Sequence, residues 1–236
     1  IPDFHGKSPA ASNGGRSVCA APFDGRQLGV LRKILKPPLK ETTFLGLGIA
    51  SGVELRHYQN AMRAWSSFVY VGRRMLKYAW DWLRYGCSMR LVNGHALAAA
   101  LIASAQDKGV RWLVESPAKA LIQESGRVVG ACLQTSKGDI RVMARQAVVL
   151  ACGGFPHDAE RKRTWLSHVS SGQEHRSAAS PGNTGDGLRM GESVGGVVAA
   201  GMAQAAALAP VSVVPRADGS VAHFPHLIER AKPGLI

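Results

Sequence analysis

Along the 236 residues the spacing of apolar positions changes several times, and each change marks an element. The most regular text begins at Asn93. Gly94-His95-Ala96-Leu97 opens an Ala/Leu-rich helix that ends at Lys108-Gly109, where a basic last turn and a glycine suit a C-terminus. Val110 to Glu115 reads as a strand. Ala118 to Gln123, Val128 to Thr135 and Ile140 to Ala144 then form three short strands around turns at Glu124-Ser125-Gly126 and Ser136-Lys137-Gly138, which predicts a β-meander. The apolar run Gln146 to Cys152 ends in Gly153-Gly154, as expected of a strand buried on both faces of a parallel sheet and stopping where the backbone passes close to something. Helix, strand, meander and strand make an α/β domain with an inserted antiparallel sheet.

Upstream the pattern is looser. Tyr58, Met62, Trp65, Val69, Leu76, Tyr78 and Trp82 recur at roughly helical spacing among Arg and Lys, predicting a long helical stretch over 53–85. Its apolar stripe reads most simply as a core-facing or subunit-facing surface; a basic, aromatic helix lying on a membrane surface is the alternative. Residues 1–43 are rich in Pro and Gly and read as an irregular arm with one short helix.

Composition narrows the class. No apolar run is long enough to span a bilayer, and no basic segment leads into an apolar one at the start, so no transmembrane or signal segment is expected. Cys19, Cys87, Cys132 and Cys152 lie far apart without a CxxC pair, which signals neither zinc nor a disulfide framework and fits a reducing cytoplasm. The net charge of +13 invites a nucleic-acid reading, but the cations are scattered; Arg161-Lys162-Arg163, the nearest thing to a run, reads as a solvated loop. The chain starts without Met and stops at Leu235-Ile236, so a piece of a longer polypeptide is expected.

Three glycine-rich stretches carry the candidate chemistry. Gly46-Leu47-Gly48-Ile49-Ala50-Ser51-Gly52 has the wrong spacing for a dinucleotide fingerprint, and Phe68-Val69-Tyr70 stands where a ribose-binding acid belongs, so it reads as a turn. Gly153-Gly154 closes a strand at the edge where open α/β sheets bind ligands. Asn183-Thr184-Gly185-Asp186-Gly187 reads either as a capped helix start or as a carboxylate presented, between bare glycines, to a polar ligand.

Taken in order, Asn93-Gly94-His95-Ala96-Leu97, Gly126-Arg127-Val128-Val129-Gly130, Ala147 to Phe155, Asn183 to Gly187 and His226 to Ile236 resemble the flavoprotein family of fumarate reductase and succinate dehydrogenase flavoprotein subunits and 3-ketosteroid Δ1-dehydrogenases. The resemblance implies a partial FAD-binding, glutathione-reductase-like domain over 91–200, the start of a substrate or cap domain over 201–236, and an arm and helical insertion over 1–90. It implies FAD as cofactor, with Ala151, Gly153 and Gly154 against the adenosine half, the Ala118 amide at adenine, Asp186 as an acid contacting FAD, and Glu229 on the substrate side. The family's phosphate-cradling GxGxxG is absent from these residues, so the chain alone is not expected to hold FAD firmly. Catalytic residues are not placed: Tyr58, Tyr70, Tyr78 and Tyr85 read as packing residues, and His223 and His226 as solvated loop histidines.

Departures from the family choose a substrate class. Where dicarboxylate-reducing members carry His-Pro-Thr, this chain has Ala209-Pro210-Val211, and Ile228-Glu229-Arg230 keeps a Glu but loses a Thr. A dianion held without those donors would cost ~2–5 kcal/mol per buried pair broken. A less polar, steroid-like carbonyl substrate is therefore expected, dehydrogenated at a CH–CH bond with hydride passing to FAD. The alternatives are a fumarate or succinate oxidoreductase of the same family and a basic nucleic-acid-binding module without flavin. The electron acceptor is not legible.

Overall fold

The computed structural model describes residues 9, 19–38, 40–50, 52–199 and 205–226. They fall into two compact units, the first within Ile1–Val114 and the second within Glu115–Ile236.

In the first unit, β1 (Phe23–Asp24) pairs antiparallel with β4 (Arg90–Leu91), and β2 (Thr43–Phe44) with β3 (Leu47–Gly48). A 3₁₀ segment, Gly25–Ile34, breaks at Gly29 and supplies Leu28, which is fully buried against Leu91 and Ala99. Leu45 and Gly46 take positive φ (50° and 88°), so the turn expected of the glycine stretch is that of a β2–β3 hairpin. The long helical stretch is two helices, α1 (Val53–Gln59) and α2 (Trp65–Tyr85). The break sits at Asn60, the C-cap of α1, whose backbone N–H (3.0 Å) and side-chain amide (2.8 Å) both donate to the Arg56 carbonyl. Gly86, left-handed at φ 71°, ends α2. The α2 stripe differs from the core-facing expectation: Trp65, Leu76, Trp82 and Leu83 are exposed, and α2 packs through Ser67 and Asp81 instead. Helix α3 (Asn93–Asp107) follows, its buried face Ala96 and Ala99, and it ends at Lys108-Gly109.

In the second unit, β5 (Ala118–Glu124), β6 (Arg127–Thr135) and β7 (Gly138–Met143) form an antiparallel sheet in that order. Local turns drive it, Ser125-Gly126 taking φ 49° and 77°. Helices α4 (Ala159–Trp165), α5 (Ser167–Ser170) and α6 (Asp186–Ser193) follow, then the hairpin of β8 (Val211–Pro215) and β9 (Val221–Pro225).

Two predicted strands do not form. Val110 to Glu115 and Gln146 to Cys152 are irregular and largely exposed. A strand exists through its ladder, and every pairing among the described residues is antiparallel and involves neither run, so no neighbour completes a parallel sheet around them.

Candidate functional site

The structure brings two of the sequence-distant glycine stretches together. The Gly185 N–H donates to the Gly154 carbonyl (3.1 Å), and the His157 N–H to the Asn183 carbonyl (3.1 Å). Gly153 stands at φ 84°, and a Cβ there would lie 2.5 Å from Asn183 Oδ1; a side chain at this position is excluded twice, by conformation and by space. A Cβ on Gly187 would meet Cys152 Cβ at 3.1 Å, so the first turn of α6 lies directly on the Cys152 side chain. Gly154 is open, its nearest neighbour for an added Cβ being Pro156 at 3.7 Å. Ala151, Gly153 and Gly154 are exposed.

Asp186 is the first residue of α6 and half-buried. Thr184 Oγ1 sits 3.5 Å from Asp186 Oδ1, a weak contact that leaves the carboxylate with acceptor capacity beside the helix's N-terminal amides. Ala118 begins β5 opposite Leu133, next to a register shift between Ala118 and Ala120, and β5 packs against α6. A cavity of about 220 Å³ lined by Leu150, Cys152, Gly153, Gly187 and Gly191 lies beside the junction. Bare glycine backbone next to the half-buried Asp186 carboxylate suits a polar ligand with a hydroxyl to donate. Glu229 lies outside the described residues.

An ion-pair clasp holds the two loops. Asp158 caps α4, Oδ1 accepting from the Glu160 and Arg161 N–H groups (3.1 Å each), while Oδ2 accepts from Arg189 Nη1 of α6 (2.6 Å). Arg161 pairs in turn with Glu192, also on α6. The Arg161 amide, more than the guanidinium groups of Arg189 and Arg161, holds the Asp158 carboxyl below its ordinary value. Hydrogen bonding to Arg161 does the same for Glu192. Arg161 also lies over the Trp165 ring (5.1 Å), and Trp165 meets Phe155 edge-on at 4.8 Å, so the residue after Gly154 is anchored to the same helix. The basic run is thus not a solvated loop: it lies on α4, and Arg161 is engaged on two sides. Sequence reasoning missed the clasp, although an Asp just before a short helix with Arg three residues on is a cap-and-pair signal.

The tyrosines lie in the first unit. Tyr58 packs on Phe44 with a buried hydroxyl that has no hydrogen-bond partner, and burial raises its pKa. The Tyr70 ring stacks on His57 at 4.5 Å and its hydroxyl accepts from Arg74 (3.1 Å). His223 lies on β9 and His226 just beyond it, where His226 Nε2 meets Ser212 Oγ at 2.6 Å; neither is a solvated loop residue.

Among known proteins, the chain is 32% identical over 236 residues to the 4-oxocyclohex-2-ene-1-carboxylate 5-dehydrogenase of Sinomonas cyclohexanicum, covering 100% of this chain and 40% of that protein. It is 28% identical over 208 residues to the 3-oxosteroid 1-dehydrogenase of Comamonas testosteroni, covering 81% of this chain and 36% of that one. The crystal structure of 3-ketosteroid Δ1-dehydrogenase from Sterolibacterium denitrificans in complex with 1,4-androstadiene-3,17-dione superposes with a TM-score of 0.72 at 25% identity, covering 95% of this chain and 40% of that one. The chain thus spans about 40% of the length of its relatives and carries a mixed helix and sheet arrangement matching an FAD-binding oxidoreductase. A match over nearly its whole length leaves no room for a nucleic-acid module without flavin. With residues 3–236 matched to the family described as FAD binding domain, the chain belongs to that family, and FAD is the cofactor the membership carries.

Proposed function

We propose that the protein is an FAD-dependent dehydrogenase that desaturates a CH–CH bond adjacent to a ring ketone. The observation that carries this reading is the junction of Gly153-Gly154 with Asn183 to Gly187, an approach of bare backbone to one carboxylate, in a chain whose relatives are dehydrogenases of cyclic ketones. When bound, FAD supplies the hydride acceptor. Gly153 and Gly154 let the adenosine half approach, Asp186 accepts from a sugar hydroxyl, and Ala118 lies at the adenine edge. Asp158 and Arg161 fix the loops without touching the ligand. The proton acceptor is not assigned to any described residue.

The substrate class is a ketone on a six-membered ring, alone or fused as in a steroid. Ala209-Pro210-Val211 offers no side-chain donor to a carboxylate, which weighs against a fumarate- or succinate-type dianion. The part over 201–236 would begin a substrate cap, with Glu229 on its substrate side, and the β5–β7 sheet would be an insertion in the flavin domain. Four free cysteines support a reducing, cytoplasmic setting. Steady-state turnover of the full-length protein with an artificial electron acceptor tests the reading. A 3-ketosteroid or an oxocyclohexene carboxylate should be dehydrogenated and succinate should not; turnover of succinate or fumarate in preference would overturn it.

A further inference from the structure

The α1–α2 hairpin carries an organisation that the flavin chemistry does not use. Trp65, Val69, Gly72, Leu76, Ala79 and Leu83 recur at alternating steps of four and three, which places them along one face of α2. That face points outward: Trp65 is 78%, Leu76 74% and Leu83 77% exposed, and Trp80 and Trp82 flank it, also exposed. Phe68 stacks on Trp65 at 5.5 Å, and Met62 in the preceding turn is exposed too, so the apolar surface runs from the tip of the hairpin to the end of the helix.

Charge on the hairpin is sorted as sharply. Residues 53–85 contain two acids, and both are turned inward and engaged. Glu54, 7% exposed, forms a two-pronged pair with Arg90 (2.6 and 3.1 Å), and Asp81, 4% exposed, accepts from the Met89 N–H (3.1 Å). The outer surface therefore carries cations only. Arg73, Lys77 and Arg84 line one edge of the apolar stripe, with Arg56 and Arg63 exposed nearer the tip.

We propose that this face of α2 docks the protein on the surface of an anionic lipid bilayer, the helix lying in the interfacial plane. An apolar stripe rich in Trp, edged by Arg and Lys and cleared of acids, matches the bilayer interface in both polarity and charge: aromatic rings settle at headgroup level, and cations pair with anionic headgroups. A helix–helix partner would select shape in the stripe but would not require every acid to be withdrawn from the hairpin surface. A nucleic acid would use the cations and leave three exposed tryptophans in water. No helix among the described residues is long and apolar enough to cross a membrane, so the docking is peripheral. The net charge of +13 over the chain adds long-range attraction of the same sign. None of this rests on the proposed reaction.

The test is co-sedimentation of the full-length, FAD-loaded protein with vesicles of phosphatidylcholine alone or phosphatidylcholine with one quarter phosphatidylglycerol, at low and high salt. Binding to the anionic vesicles, reduced by salt and weak on the neutral ones, is expected. Arg73→Gln with Lys77→Gln should weaken partitioning roughly fivefold per cation removed. Trp65→Ser with Leu83→Ser should weaken it at both salt concentrations; all four side chains are exposed, and unchanged circular dichroism verifies the fold. Absence of vesicle binding would overturn the proposal, as would binding indifferent to both variants. Two other outcomes would also overturn it: salt-sensitive binding to DNA without binding to vesicles, or a dimer in sedimentation that the Trp65/Leu83 variant dissociates while vesicles are ignored.

Discussion

At the scale of single residues the candidate site is a matter of what is missing as much as what is present. Gly153 has no side chain because Asn183 fills that space, so Gly153→Ala should destabilise the protein by about 1–3 kcal/mol, through a positive φ and a clash together. The clash is with a side chain and the strain is in the backbone, so the two are separable. In an Asn183→Ala background the same substitution should cost less, and a double-mutant cycle by denaturant unfolding reads the difference. If Asp186 contacts the ligand as proposed, Asp186→Ala should weaken FAD binding by roughly 10- to 100-fold, the worth of a hydrogen bond to a charged group, with little change in unfolding. Flavin titration followed by fluorescence distinguishes that result from a structural role. Asp158 acts on the loops. Its carboxyl titrates below the ordinary value near 3.8, so its contribution is complete above the unfolded-state pKa and is lost as pH falls through the lower, folded-state one. Asp158→Ala should cost about 1–2 kcal/mol at neutral pH, and the gap from the unaltered protein should close below roughly pH 4.

Elements differ in how well local sequence dictates them. The β5–β7 sheet was legible because each turn announces itself within three residues, and the strands need only their immediate neighbours. Helix α3 was legible because its start, Ala-rich face and glycine stop all lie within one stretch. The run Gln146 to Cys152 was misread because a strand buried on both faces depends on partners far away in sequence, which periodicity does not report. The break at Asn60 was missed because the apolar spacing continues across it while the backbone leaves helical geometry at that one residue. The clasp between α4 and α6 joins residues about thirty apart, a distance at which pattern reading is blind; order along the chain and family resemblance, not periodicity, singled out Gly153-Gly154 and Asp186 as candidates. Gly130 supplies a test at this scale. A Cβ there would lie 2.3 Å from the Val142 carbonyl oxygen, backbone that no rotamer relieves. Gly130→Ala should therefore separate β6 from β7 locally, at a cost of about 1–3 kcal/mol. Hydrogen exchange should lose protection along β7 while α3 is unaffected.

At the scale of the molecule, the residues proposed to hold FAD that fall within the described segments, Ala118, Ala151, Gly153, Gly154 and Asp186, all belong to the second unit. In the proposed reading they make up one side of the cofactor site. The cavity beside them, about 220 Å³, is smaller than the ~300–1,000 Å³ typical of pockets that enclose a small ligand, and FAD is larger than most such ligands. No GxGxxG occurs in the 236 residues to cradle the pyrophosphate, the part of a dinucleotide that gains most from backbone N–H groups. The loops are nevertheless well braced by the Asp158 and Arg161 pairs, so the adenosine face should keep its shape without the rest of the site. Binding energy should then divide accordingly. Made alone, the 236-residue chain should leave a desalting column with well under one flavin per chain by visible absorbance, while adenosine diphosphate should still bind weakly and lose affinity in Asp186→Ala. Stoichiometric flavin on the isolated chain would mean that this junction alone closes around the cofactor, and the division of the site argued from its open glycines would fail.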